Sequence, residues 1–198
     1  LDGSDDVIAY DYDRDTREVR STLLDVTGPD APRIINIRNV QDAYADPGTP
    51  VQTLNASGFS VAHVHDGQLF LTGSGAPPDG ARPFLHSFDL ETFETKELWR
   101  NTGEEYEYVV DLAAHDGSAF VTYYENASTP GNYRFHDTDS VRFLTSFPDP
   151  HPELTGISRE LITYKRDDGV ELSSTLYLPP SYQEGDKLPV VVWAYPRE

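Results

Sequence analysis

His65-Asp66-Gly67-Gln68-Leu69-Phe70-Leu71-Thr72 returns fifty residues later as His115-Asp116-Gly117-Ser118-Ala119-Phe120-Val121-Thr122. Each copy opens on an Asp-Gly turn, the strongest short hairpin signal, and runs on into a β-prone stretch. A loop rich in Gly and Pro or small polar residues follows each, at Gly73–Pro83 and Glu125–Gly131. Two more strand-like runs come next: Phe84–Leu90 with Thr95–Trp99, then Tyr133–Asp137 with Val141–Leu144. A third copy of this outer hairpin opens the chain at Val7–Asp13 and Arg17–Leu24. Sets of about four short strands, repeating at about 40–50 residues, predict a β-propeller, in which stacked blades bury faces that no blade buries alone. A β-sandwich is the alternative that so few repeats leave open.

The rest of the composition agrees with a β-rich chain. Of 198 residues, 12 are Tyr and 9 are Phe, side chains that favour half-buried sheet surfaces. No run approaches the roughly 20 apolar residues that cross a bilayer. Cysteine is absent, so disulfides and thiolate metal sites are excluded within the chain, and the compartment stays open. The formal charge of −19 argues against nucleic-acid binding, which needs a basic surface. Lysine occurs only at Lys96, Lys165 and Lys187, against twelve arginines. Dense carboxylates with so few lysines resemble the surfaces of proteins from salt-loving organisms, where counterions screen self-repulsion. An ordinary acidic surface is the alternative.

Near Phe147-Pro148-Asp149-Pro150-His151-Pro152 the character changes, because three closely spaced prolines break any strand. Residues 1–152 are therefore expected to form a partial propeller of about three blades, and 153–198 the start of another domain. Glu160–Lys165 and Val170–Leu178 flank the turn Arg166-Asp167-Asp168-Gly169 as a plain antiparallel hairpin. Leu188-Pro189-Val190-Val191-Val192-Trp193-Ala194-Tyr195 then predicts a strand covered on both faces, as in an α/β sheet. No segment shows a convincing helical period. The chain contains no Met and begins mid-pattern at Leu1-Asp2-Gly3, so a piece of a longer protein is expected.

Together these stretches resemble the prolyl oligopeptidase family, in particular its glutamyl endopeptidase branch. The resemblance is specific in Ile162–Leu172, in Leu176-Tyr177-Leu178-Pro179-Pro180 and in Leu188-Pro189 followed by Val192-Trp193-Ala194-Tyr195-Pro196-Arg197-Glu198. Asp42–Pro50, Arg82-Pro83-Phe84-Leu85 and Asn132-Tyr133 extend it upstream, so that it covers most of the chain from about Val40. What the resemblance implies is a propeller preceding and capping an α/β-hydrolase catalytic domain. It implies a serine peptidase acting on peptide substrates through a Ser, Asp and His triad, with no metal or organic cofactor.

That triad is expected beyond residue 198. A serine nucleophile needs a sharp strand-to-helix turn, commonly G-x-S-x-G. Gly156-Ile157-Ser158-Arg159-Glu160 lacks the final Gly, and Ser173 and Ser174 lie inside an expected strand. The resemblance carries one catalytic part onto this chain, Tyr195, whose family counterpart donates its hydroxyl to the oxyanion hole. A phenol at the carboxyl end of a sheet strand faces the crevice where such sheets bind ligands. A packed Tyr with its hydroxyl in water is the alternative reading. Arg197 follows as a candidate for receiving a substrate carboxylate by bidentate hydrogen bonds, against a salt-bridged surface Arg. His63 and His65 stand two apart on an expected strand, a spacing some metal sites use, but no third ligand is evident. Rival functions are an esterase or other acyl hydrolase on the same scaffold and a non-catalytic propeller that binds proteins.

Overall fold

The structure, a computed structural model, describes residues 1–77 and 80–194. It divides into two compact units, Leu1–Pro148 and Asp149–Glu198. In the first unit, β1 (Asp6–Asp13), β2 (Glu18–Asp25) and β3 (Arg33–Asn39) form an antiparallel sheet in that order. The strands β4 (Thr49–Pro50), β5 (Gln52–Leu54), β6 (Ser60–Ala62) and β7 (Val64–His65) are short. They lead into β8 (Gln68–Gly73), β9 (Phe84–Asp89) and β10 (Thr95–Arg100). The second sheet runs β10-β9-β8, with β4 and β7 both pairing along the far side of β8, while β5 and β6 form a separate hairpin. A third sheet follows in simple order: β11 (Tyr106–Leu112), β12 (Phe120–Glu125), β13 (Asn132–His136) and β14 (Val141–Phe143).

The sequence of β8 explains how these sheets stack. Alternation sends Leu69 and Leu71 to one face and Phe70 to the other, and all three are buried. Leu69 and Leu71 join Phe88 in a core that Ile8 and Ile35 of the first sheet cover. Phe70 and Leu85 join Val109 and Phe120 of the third sheet in a second core, edged by Leu98 and Trp99. The second sheet is thus sandwiched between the other two, and each large apolar side chain buried this way contributes about 1.5–3 kcal/mol. Among the described residues the stack of three sheets is open rather than closed into a ring.

Two expectations need correction here. The opening hairpin β1–β2 is not the outer pair of its sheet, because β3 adds to β2 in register from Glu18↔Asn39 to Leu23↔Arg33. The sequence pattern does not mark β3 or β11 as strands, since Arg33–Asn39 mixes polar and apolar residues without strict alternation and Tyr106–Leu112 carries a bulge between Val109 and Asp111. Nor do the two His-Asp-Gly copies make the same turn. Asp66 and Gly67 have φ of 47° and 75°, giving a two-residue hairpin with His65 opposite Gln68. In the second copy Ala113 and Ala114 both donate to the Ala119 carbonyl across a wider loop, and only Gly117 has a left-handed φ, of 73°. Ser118 explains the difference, since its N–H and hydroxyl both donate to Asp116 Oδ1 and hold the turn open.

In the second unit a 3₁₀ turn at Pro152–Leu154 leads to β15 (Ser158–Lys165) and β16 (Glu171–Leu178). They pair without interruption from Ser158↔Leu178 to Lys165↔Glu171, as the sequence predicts. The expected buried strand at Leu188–Tyr195 is not formed over its described part. Leu188–Ala194 pair with no strand among the described residues, and Val191 is 93 % exposed. The physical reason is plain: an apolar central strand holds its extended form only between two neighbours that take its N–H and C=O groups, and no such neighbours are described. Among the described residues there is no α-helix, and no helix is long and apolar enough to cross a membrane.

Candidate functional site

Tyr195 and Arg197, the two site residues expected from the sequence, lie outside the described residues. The described residues of the same unit offer no substitute nucleophile. Ser158, Ser173 and Ser174 sit in β15 and β16 opposite Leu178, Thr163 and Ile162, and none bonds a histidine or carboxylate. The unit's histidine, His151, instead faces Glu153 Oε1 at 3.1 Å on the surface.

In the first unit the repeated His-Asp-Gly motif brings imidazoles together. His63 lies between β6 and β7, buried at 5 % exposure, with Nε2 2.8 Å from the His115 carbonyl. Its ring stacks on His115 at 5.4 Å, and the His65 ring stands 6.3 Å from that of His115. The strand-face metal reading of His63 and His65 does not describe this arrangement, because His63 is engaged with a main-chain carbonyl and the Phe70 ring 5.5 Å away. Among the described residues no group of three or more His, Asp or Glu side chains is placed to hold a metal ion. What the imidazoles do instead is tie the β6–β7 junction to the turn between β11 and β12. Beside them lies a cavity of about 430 Å³, walled by Val51–Leu54 and Asp111–Ala114.

Sequence reasoning missed a second polar cluster, on the core-facing side of the third sheet. Glu107, Thr122 and His136 are buried, with 4 %, 0 % and 6 % exposure. The Thr122 hydroxyl donates to Glu107 Oε1 at 2.6 Å, and His136 Nε2 lies 2.8 Å from the same oxygen. Arg134 Nη1 donates to Glu107 Oε2 at 3.1 Å, and its guanidinium lies over the Tyr124 ring. Burial pushes the Glu107 carboxyl up, but the His136 and Thr122 hydrogen bonds and the Arg134 charge outweigh it and hold the pKa below the usual range. Trp99 of β10 meets His136 edge-on at 5.8 Å, so the network also packs against the second sheet. A signal existed in the sequence: Glu107, Thr122, Arg134 and His136 all occupy inward positions of otherwise apolar or aromatic strands. Their mutual satisfaction, complete save for the buried Arg134 Nε, makes the cluster structural rather than reactive.

No protein-family model matches the chain. Among curated proteins, the chain is 35 % identical over 212 residues to a probable chloroplastic glutamyl endopeptidase of Oryza sativa subsp. japonica, covering 96 % of this chain and 22 % of that protein. A probable chloroplastic glutamyl endopeptidase of Arabidopsis thaliana is 32 % identical over 216 residues, covering 98 % of this chain and 22 % of the relative. The chain thus spans about a fifth of the length of these relatives. Among solved structures, the AtxE2 isopeptidase bound to Astexin3-dC4 is similar over 96 % of this chain and 26 % of its own, with a TM-score of 0.49 and 14 % identity.

Proposed function

Because the chain belongs to the prolyl oligopeptidase family, on the side of the glutamyl endopeptidases it matches, we propose that it is the junction of a serine-type peptidase. Residues 1–152 are in this reading about three blades of a β-propeller, and 153–198 the first strands of an α/β-hydrolase domain. The observation that carries the proposal is identity of 35 % running through nearly the whole chain, across both units. Stacked antiparallel sheets followed by a separate hairpin are consistent with it.

The chemistry is acyl transfer. A Ser, assisted by His and Asp supplied by sequence following residue 198, attacks the scissile carbonyl, and the propeller restricts access to peptides that can pass it. Tyr195 donates its hydroxyl to the oxygen that gains negative charge, a role worth about 2.7–4 kcal/mol of transition-state stabilisation. Arg197 receives a carboxylate of the substrate through paired N–H···O bonds. No metal or organic cofactor enters any step.

The test uses the full-length protein with peptides carrying Glu or Ala before the scissile bond. Tyr195→Phe should lower kcat by about 10²–10³ while the thermal transition stays in place. Near-normal turnover would remove Tyr195 from the mechanism. Arg197→Ala should erase any preference for Glu over Ala, and an unchanged preference removes that role. Equal failure on esters and amides by the wild-type protein would favour the non-catalytic alternative.

A further inference from the structure

The cavity beside His63 and His115 is bounded by two strand edges, which is an unusual pair of walls. β5 pairs with β6 alone and β11 with β12 alone among the described residues, so each turns an unpaired side away from its partner. Most of the residues that line the 430 Å³ space fall in two runs, Val51–Leu54 from β5 and its approach and Asp111–His115 from the end of β11 and its turn, with Ser60 of β6 and His63 completing it. Part of this main chain is already engaged: Val51 bonds Phe70 and His63, and the Ala113 and Ala114 N–H groups go to Ala119. The bulge between Val109 and Asp111 shifts this end of β11 relative to β12, and bulges expose backbone groups beside binding sites. Leu112 N–H then donates to the carboxylate of its own neighbour, Asp111 Oδ1, at 2.8 Å. That donor is therefore already satisfied, and an added strand reaches it only by displacing the carboxylate. His63, buried and bonded to the His115 carbonyl, fixes the separation of the two walls before any ligand arrives.

We propose that this slot binds a polypeptide segment in extended conformation, by main-chain hydrogen bonds to the edges of β5 and β11. Strand addition to open edges gives affinity from the backbone and leaves selectivity to alternate side chains. Here the selecting groups are Asp111 and the His115 ring, and the chain carries a net charge of −19, so neutral or basic side chains are favoured over acidic ones. That the segment is a substrate in transit rests on the peptidase reading above; that it binds does not.

The test is a binding measurement without turnover. The probe is the fluorescently labelled peptide acetyl-Lys-Thr-Val-Thr-Val-Lys-amide, titrated into the chain by anisotropy, beside a twin N-methylated at both valines. Saturable binding is expected below about 1 mM, weakened at least about tenfold in the twin, the factor for one lost hydrogen bond of about 1.4 kcal/mol. Ala113→Trp, at an exposed wall position, should abolish binding with an unchanged circular dichroism spectrum. Thr53→Trp fills the slot from the opposite wall and decides the matter should the first variant misfold. No saturable binding, equal binding of the methylated twin, or wild-type binding in a folded wall variant would each overturn the proposal. None of these touches the peptidase reading, which stands or falls on turnover by the full-length protein.

Discussion

Gly67 and Gly117 close the two copies of one motif, with nearly equal φ of 75° and 73°, yet they face different surroundings. A Cβ built on Gly67 meets nothing within 4 Å, whereas one on Gly117 comes 2.6 Å from Phe70 Cε1 and 3.1 Å from Leu98 Cδ1. Alanine at Gly67 therefore carries only the left-handed penalty of about 1–2 kcal/mol, partly offset by a less flexible unfolded chain. Alanine at Gly117 carries the same penalty plus overpacking against a ring that is 2 % exposed and has nowhere to move, about 1–3 kcal/mol more. Each kcal/mol corresponds to about 2–4 °C in Tm for a chain of this size. Thermal unfolding can be followed through Trp99, which packs on Phe120 beside Phe70, in a Trp193→Phe background that removes the exposed second indole. Gly117→Ala should melt clearly below Gly67→Ala, and a Phe70→Leu background should narrow the gap by making room. Equal Tm values for the two alanine variants would refute the packing of the third sheet's turn onto the second sheet.

Glu107→Ala should cost about 3–5 kcal/mol, because Arg134 and His136 are left as partners without their carboxylate, and denaturant unfolding measures it; a loss below about 1 kcal/mol would show that the network is not formed. Since the folded-state pKa of Glu107 is depressed, its contribution is present above the ordinary carboxylate range and is lost as pH falls from about 4.3 through the lower folded value. An acid titration of Tm in wild type and Glu107→Gln should accordingly converge at low pH, and parallel curves would contradict the assignment. With a charge of −19, Tm should climb between 0.15 M and 1 M KCl as the Debye length shrinks from about 8 Å to about 3 Å, and a flat response would leave the acidic surface without a stabilising role for salt.

What the sequence disclosed was what depends on local pattern. The apolar pair of faces on β8, the His65-Asp66-Gly67 hairpin and the β15–β16 pairing all follow from alternation and turn chemistry within a few residues. What it concealed depends on partners distant in the chain. The outer position of β3 is set by pairing with β2 rather than by its own mixed sequence, and the wide second turn depends on a single Ser118 in place of Gln68. The run Val190-Val191-Val192 reads as a buried strand because its composition suits one, but composition supplies neither of the neighbouring strands it would need. For the site the division is similar. Tyr195 and Arg197 rest on resemblance and lie outside the described residues, while the Glu107 network and the slot between β5 and β11 emerge only when separate sheets meet.

The acidic residues are not spread indifferently, and their placement links the repeat to the charge. Asp13, Asp89 and Asp137 each close a hairpin, between β1 and β2, β9 and β10, and β13 and β14. Each accepts backbone N–H bonds from the residues two and three ahead: Asp15 and Thr16, Glu91 and Thr92, and Asp139 and Ser140. These bonds favour the ionised form, and all three carboxyls sit below their ordinary pKa. The sign follows directly: a depressed folded-state pKa adds stability above the unfolded value and gives it up as pH falls through the folded one. A repeated hairpin therefore carries a repeated acid sensitivity, and three sheets that share their cores should loosen together rather than one at a time. Replacing the three by Asn keeps the acceptor and removes the charge, so the triple Asn variant should lose its acid-induced Tm decline below pH 4 in part while gaining at low salt from reduced repulsion. A triple variant that unfolds in acid as steeply as wild type would place the acid-sensitive groups elsewhere, with Glu107 the first to examine.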